Sequence, residues 1–277
     1  MSDRWNKPEG VIGAGGILDR IVEAKAIRLK EAKLLNPIDS TAQSRFRARS
    51  RESGYSFVDR ISRKGVTNII AELKSRSPSK GVIREDYNPR LIADTYEKGG
   101  AAALSVLTEE DFFGGSLEHL RLVNPVKLPV LRKDFIFDEH QVYEAAFAGA
   151  DAVLLIVAIL DDELLARLIR LADEFQMAAL VEVHTETEMR RAIAAGAVVI
   201  GVNNRDLTTF KVDLETSLRL ASLASAGTIL VSESGINNAG EIALLKSAGF
   251  SAFLIGEHFM RAADPGDALR RLIAESD

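Results

Sequence analysis

From Asn68 onward the chain alternates regularly between short apolar runs and longer stretches of helical period. The apolar runs fall at residues 69–73, 102–107, 129–132, 152–157, 179–183, 198–202, 229–231 and 252–255. Helical patterns lie between them at 89–98, 117–123, 139–148, 162–175, 186–195, 214–222 and 239–247, with a last one at 265–274. Glycine stands just before most of the next runs (Gly99-Gly100, Gly149, Gly196, Gly227, Gly249), where it ends a helix in a left-handed turn. The runs are rich in Val, Ile and Leu on both faces of a period-2 strand, as in a parallel sheet covered by helices. Eight strands, each followed by a helix, predict an α/β chain closed into a (β/α)8 barrel. An open doubly wound sheet competes with it, but the Gly-x-Gly-x-x-Gly turn that such a sheet carries after its first strand is missing. At 277 residues the chain has the length of one such barrel.

About sixty residues precede the alternation. Residues 1–16 carry four glycines and a proline with no sustained period, and are expected to be a mobile extension. Residues 17–35 repeat apolar side chains at helical spacing, with Ile17, Leu18, Ile21, Val22, Ala24, Ile27, Leu29 and Leu34 as the apolar set. Lys25, Arg28, Lys30, Glu31 and Lys33 fill the other positions, and Asn36-Pro37 stops the helix. A polar, Arg-rich helix is expected over 40–52 and a short one over 57–61. The expected division is therefore an extension (1–16), helices packed on the barrel (17–66) and the barrel itself (67–277). Because a barrel already buries its own strands, helix 17–35 is expected to cover a surface, and the barrel mouth is the favoured one.

In this fold the reactive groups sit where the strands end. The first strand ends in Glu72 and Lys74, two apart and so on one face. The Ser77-Pro-Ser-Lys-Gly81 loop follows, with hydroxyls, backbone donors and a second cation that suit an anion. The later strands end in Thr108–Gly115, Lys133-Asp134-Phe135, Glu182 and His184, Asn203–Asp206, Ser232–Gly235 and Gly256-Glu257. Only the fourth stays apolar. Buried charge at so many strand ends is costly unless partners or a polar ligand meet it.

Each feature also has a plainer reading. Glu72 and Lys74 suit a structural ion pair as well as a site, and Lys133-Asp134 alone suits a solvated turn. Ser232–Ile236 suits a helix start, although the loops after strands seven and eight commonly cradle phosphate in this fold. His184 reads as a satisfied rim histidine, since the four histidines show no ligand spacing. Phe112 and Phe113 suit loop anchors or a stacking wall for an aromatic ring. The absence of cysteine excludes disulfides and thiolate metal sites. The formal charge of −5 argues against broad nucleic-acid binding. The longest apolar run, residues 152–160, is too short to span a bilayer, and the N-terminus lacks a signal-peptide pattern.

Six segments in order carry a family resemblance. They are Ala71-Glu-Leu-Lys-Ser-Arg-Ser-Pro-Ser-Lys-Gly81, Leu107-Thr-Glu-Glu-Asp-Phe-Phe-Gly-Gly-Ser116, Leu131-Arg-Lys-Asp-Phe-Ile136, Val181-Glu-Val-His184, Gly201-Val-Asn-Asn-Arg-Asp-Leu207 and Ser232-Glu-Ser-Gly-Ile236. From residue 17 to the C-terminus the chain resembles indole-3-glycerol-phosphate synthases. The resemblance implies a (β/α)8 TIM barrel with an N-terminal helical extension. It also implies closure of 1-(2-carboxyphenylamino)-1-deoxyribulose 5-phosphate to indole-3-glycerol phosphate with loss of carbon dioxide and water, without a metal or organic cofactor. By the same resemblance Lys133 is the general acid and Glu182 the base, while Lys74 contacts the substrate and shares proton transfer. Glu72 and Asn203 orient and polarise it, supported by Arg205 and Glu233. Ser77, Phe113, Phe135 and Leu154 form the aromatic pocket, and Ser234, Gly235, Gly256 and Glu257 the phosphate cradle. The implied partner is a small phosphorylated substrate, with no nucleic acid and no membrane, for a cytoplasmic monomer or weak homo-oligomer. On physical grounds a lysine acid at neutral pH is expected to need its pKa lowered by burial and neighbouring cations. A phosphoribosyl isomerase would share the last two loops but has no use for Glu72, Lys74, Lys133 and Glu182 together. A non-catalytic phosphate-binding barrel would have lost the acid or the base.

Overall fold

The computed structural model describes residues 7–38, 56–206 and 209–277. Eight parallel strands close on themselves in chain order: β1 (Asn68–Leu73), β2 (Ala103–Leu107), β3 (Val130–Lys133), β4 (Ala152–Ile156), β5 (Ala178–Val183), β6 (Val199–Asn203), β7 (Ile229–Glu233) and β8 (Ala252–Ile255). β8 pairs back onto β1 through Asn68↔Ala252 to Ala71↔Ile255, so the sheet has no free edge. The strands are buried on both faces, as their continuous apolar runs require. Outside them lie the helices read from the sequence, most with bounds shifted by a residue or less. Their starts are fixed by side-chain caps: Asn88 accepts from the Leu91 N–H, Asp161 from Leu164 and Asn238 from Glu241.

Three small elements follow strand ends and escaped the reading of the sequence. A two-stranded ribbon joins Arg76–Ser77 to Gly81–Val82 inside the expected anion loop. A 3-10 turn covers Val157–Ile159, and a four-residue helix Glu257–Met260 follows β8. The helix expected over 40–52 lies outside the described residues.

Helix α1 (Gly16–Leu35) buries Leu18, Ile21, Val22, Lys25 and Leu29. The expected apolar set is corrected at three positions: Ile27 and Leu34 are exposed, and the buried stripe contains a lysine in their place. Lys25 Nζ reaches Asp134 at 2.8 Å and Glu110 at 2.9 Å. Arg28 holds Asp111 through two bonds of 2.6 Å, and Lys33 holds Asp138 at 2.6 Å. All four acidic partners lie just past the ends of β2 and β3, so α1 lies on the C-terminal rim. The expected mobile extension does not describe residues 7–15. Val11 bridges Leu160, Ile12 N–H donates to Ile159 and Asp161 N–H donates to Gly10, which pins this stretch beside β4. Helix α2 (Phe57–Ile61), capped by Ser56, then leads into β1.

Candidate active site

The C-terminal ends of the strands open into a cavity of about 800 Å3. Its floor is charged. Lys133 Nζ, at the end of β3, lies 3.3 Å from Glu182 on β5 and 3.5 Å from Glu233 on β7. Lys74, just past β1, pairs with Glu72 at 2.5 Å. Asn203, at the end of β6, hydrogen-bonds the Glu182 carboxylate, and its Oδ1 accepts from the Arg205 N–H at 3.0 Å. Two glycines make room for these carboxylates. A Cβ at Gly201 would lie 2.1 Å from Glu233 Oε1, and one at Gly256 2.5 Å from Glu72 Oε1. The side chains therefore meet only because the barrel closes strands that are far apart in sequence.

Three carboxylates share two ammoniums on this buried floor, and their protonation follows from that imbalance. Burial works against the Lys133 ammonium, but Glu182, Glu233 and Glu72 outweigh it and raise its pKa. The expectation of a lysine tuned downward is thus corrected: burial does lower it, but the three carboxylates outweigh burial and favour the charged form. Burial raises the Glu72 carboxyl, yet Lys74 and Lys133 reverse the shift and leave it below its ordinary value. Glu182 behaves alike, with Lys133, His184 and the Asn203 bond overcoming burial. Glu233 does not. Burial and the neighbouring carboxylates outweigh Lys133 and push it up to about 8. Of the three carboxyls this is the one whose surroundings favour the protonated form.

One wall is apolar and aromatic. Phe113 and Phe135 stand 6.0 Å apart, tilted by 35°, with Leu154 also lining the cavity. Ser77 is placed slightly apart, in an adjoining pocket roofed by Ile17, Leu18 and Ile21 of α1 and walled by the same two phenylalanines. Phe112 turns away to lie under Arg20 of α1, 5.9 Å from its guanidinium. On the other wall Ser234 and Gly235 are consecutive left-handed residues, with φ of 66° and 83°, and Gly256 and Glu257 face them across the cavity. Ser234 pays for that backbone as a non-glycine, which points to a constraint at this loop. The Glu257 carboxylate is turned onto Arg205 at 3.6 Å and Arg261 at 3.0 Å.

The structure thus brings every expected site residue except Ser77 into one cavity, and Ser77 into its annex. Two rim features were not anticipated. Phe210, in the left-handed region at φ 58°, lines both the cavity and the annex, and its carbonyl accepts from Arg205. Lys25 enters the site's support through Asp134, whose Oδ2 also accepts from Arg132 at 2.9 Å and Thr108 at 2.6 Å. Its signal was present in the sequence, as a lysine four residues from both Ile21 and Leu29 on the buried stripe. Among the described residues no group of three His, Asp or Glu is arranged to hold a metal ion, and no helix is long and apolar enough to cross a membrane.

Fold and mouth together are those of a barrel enzyme, with carboxylates and ammoniums paired in one cavity at the strand ends. A family model described as indole-3-glycerol phosphate synthase matches residues 18–272. The chain belongs to the indole-3-glycerol phosphate synthase family, carboxy-lyases of tryptophan biosynthesis. The indole-3-glycerol phosphate synthase of Carboxydothermus hydrogenoformans is 46% identical over 262 residues, which cover 93% of this chain and 99% of that protein. That of Roseiflexus sp. is 47% identical over 265 residues, covering 92% and 97%. Among solved structures, 3-hexulose-6-phosphate synthase from Salmonella typhimurium superposes with a TM-score of 0.61 at 15% identity, covering 76% of this chain and all of that one. At that identity the likeness is one of fold.

Proposed function

We propose that the cavity closes 1-(2-carboxyphenylamino)-1-deoxyribulose 5-phosphate into indole-3-glycerol phosphate, with Lys133 as general acid and Glu182 as base. The observation that carries this reading is the contact of Lys133 with two buried carboxylates, whose surroundings lower the pKa of Glu182 and raise that of Glu233. Lys133 protonates the ketose oxygen as the aryl carbon that bears the carboxylate attacks the carbonyl carbon. The ring is left as an iminium. It draws in the electrons of the bond to the carboxylate, and carbon dioxide departs without an electron-sink cofactor. A second protonation lets the hydroxyl leave as water, while Glu182 removes the proton from the carbon beside the nitrogen.

Lys74, paired with Glu72, faces the same reacting oxygen and orients it, with Asn203 holding Glu182 in place. Phe113, Phe135 and Leu154 take the aryl ring, with Ser77 at its outer edge. The phosphate sits between Ser234-Gly235 and Gly256-Glu257 on backbone N–H groups. Arg205 and Arg261 neutralise the Glu257 carboxylate, so it does not repel the anion. α1 acts as a cover that excludes water from the mouth. The enzyme is proposed to work in the cytoplasm as a monomer or weak homo-oligomer, with no nucleic-acid partner and no cofactor. Incubation with the carboxyphenylamino ribulose phosphate tests the reading. Indole fluorescence should rise, and a flat trace with intact substrate would contradict it.

A further inference from the structure

Behind the mouth lies a second cavity of about 1020 Å3, between the N-terminal segment (Ile12–Ala14), the β5 and β6 ends and residues 209–213. Glu182 lines the first cavity and not the second, and His184 the second and not the first. The two side chains meet across the partition: His184 Nε2 lies 3.6 Å from Glu182 Oε1. Lys133 contacts the other oxygen, Oε2, at 3.3 Å. On its far side His184 Nδ1 is 3.3 Å from Glu188 Oε2, which also accepts from the His184 backbone N–H at 2.7 Å and so orients the ring. His184 Nε2 is buried and has no hydrogen-bond partner.

The proposed chemistry needs such a connection. The substrate carboxylate leaves as neutral carbon dioxide and its hydroxyl as neutral water, so each turnover takes up one proton. Lys133 gives two and Glu182 takes one. The second must come from solvent, although α1 covers the mouth. We infer that His184 is the relay through which Glu182, and through it Lys133, exchanges protons with the second cavity. In the uptake step the His184 imidazolium gives its Nε2 proton to Glu182 Oε1. The Glu182 carboxyl so formed turns about its Cγ–Cδ bond and gives that same proton to neutral Lys133 Nζ, which restores the ammonium and the carboxylate. His184 is left as the neutral imidazole with its proton on Nδ1, and a turn of the ring brings the bare nitrogen to the second cavity, where water protonates it and the return turn restores the imidazolium at Nε2. Glu188 and Glu182 outweigh burial and favour the charged form of the ring, and Glu233 adds to this only once it is ionised. Arg191, Asp206, Lys211, Asp213 and Arg219 line the cavity beyond with mixed charge.

His184 acts through Glu182 and is a positioning residue, and the relay rests on the reading of Glu182 as base. In His184→Gln, kcat should fall about tenfold, a fraction of what a full acid–base group supplies, with KM within about twofold. The acid limb of the kcat/KM profile should move to higher pH, because Glu182 loses the cation at Oε1 that holds it ionised. Added imidazole should restore turnover to His184→Gly, and circular dichroism reports whether that variant is folded. An unmoved acid limb in His184→Gln, with kcat within twofold of the parent, overturns the relay even if Glu182→Gln is inactive. An active Glu182→Gln overturns the base itself, and the relay with it.

Discussion

Lys25, in the buried stripe of α1, places its ammonium 2.8 Å from Asp134, the residue next to Lys133. The pair is almost fully buried, and the same carboxylate oxygen also binds Arg132 and Thr108. The rim helix is therefore fastened directly to the strand end that carries the proposed acid.

Removing Lys25 should loosen the cover without touching the reacting groups. Breaking a buried pair costs about 3–5 kcal/mol when a charge is stranded. Arg132 still neutralises Asp134, so Lys25→Met should cost about 1–3 kcal/mol and lower the melting temperature by several degrees. KM should rise severalfold, with a smaller change in kcat. Thermal melts and steady-state kinetics check this, and unchanged values of both would mean that α1 does not act on the site.

Glu233 sets a pH dependence with a definite sign. Its folded pKa of about 8 lies above the ordinary 4.5, so the stability it contributes is complete below pH 4.5 and is lost as pH rises to 8. Glu233→Gln removes that titration. Its melting temperature relative to the parent should therefore climb across this window. A constant or falling difference from pH 4.5 to 8 would show that Glu233 is ionised in the folded protein.

Much of this was legible in the chain. Continuous Val/Ile/Leu runs revealed the strands because a parallel barrel buries both faces of each. The strand ends then indicated Glu72, Lys133 and Glu182. What stayed hidden depended on closure. Burial and neighbouring cations are expected to tune Lys133 downward, but its strongest charged neighbours, from β1, β5 and β7, are carboxylates. Lys25 and Asp134 are more than a hundred residues apart, and no local pattern marks them as partners. Residues 7–15 show no period because their anchors are backbone contacts at Gly10, Val11 and Ile12, which side-chain periodicity does not report.

Ser234→Asp should separate binding from catalysis at the proposed phosphate cradle. A carboxylate beside the left-handed Ser234-Gly235 turn would repel the phosphate and compete for its backbone donors. KM should rise, and inorganic phosphate should compete more weakly. An unchanged KM would move the phosphate to the Ser77–Gly81 loop, where Lys80 also faces the cavity.

The most direct test of the account is turnover by Lys133→Ala, followed by indole fluorescence at neutral pH with circular dichroism confirming the fold. Removing a general acid costs about 10²–10⁴-fold, and loss of the ammonium that Glu182 and Glu233 share adds to this, so product formation should fall by at least that range. A folded variant turning over within a few-fold of the parent would contradict the assignment of Lys133 as the acid.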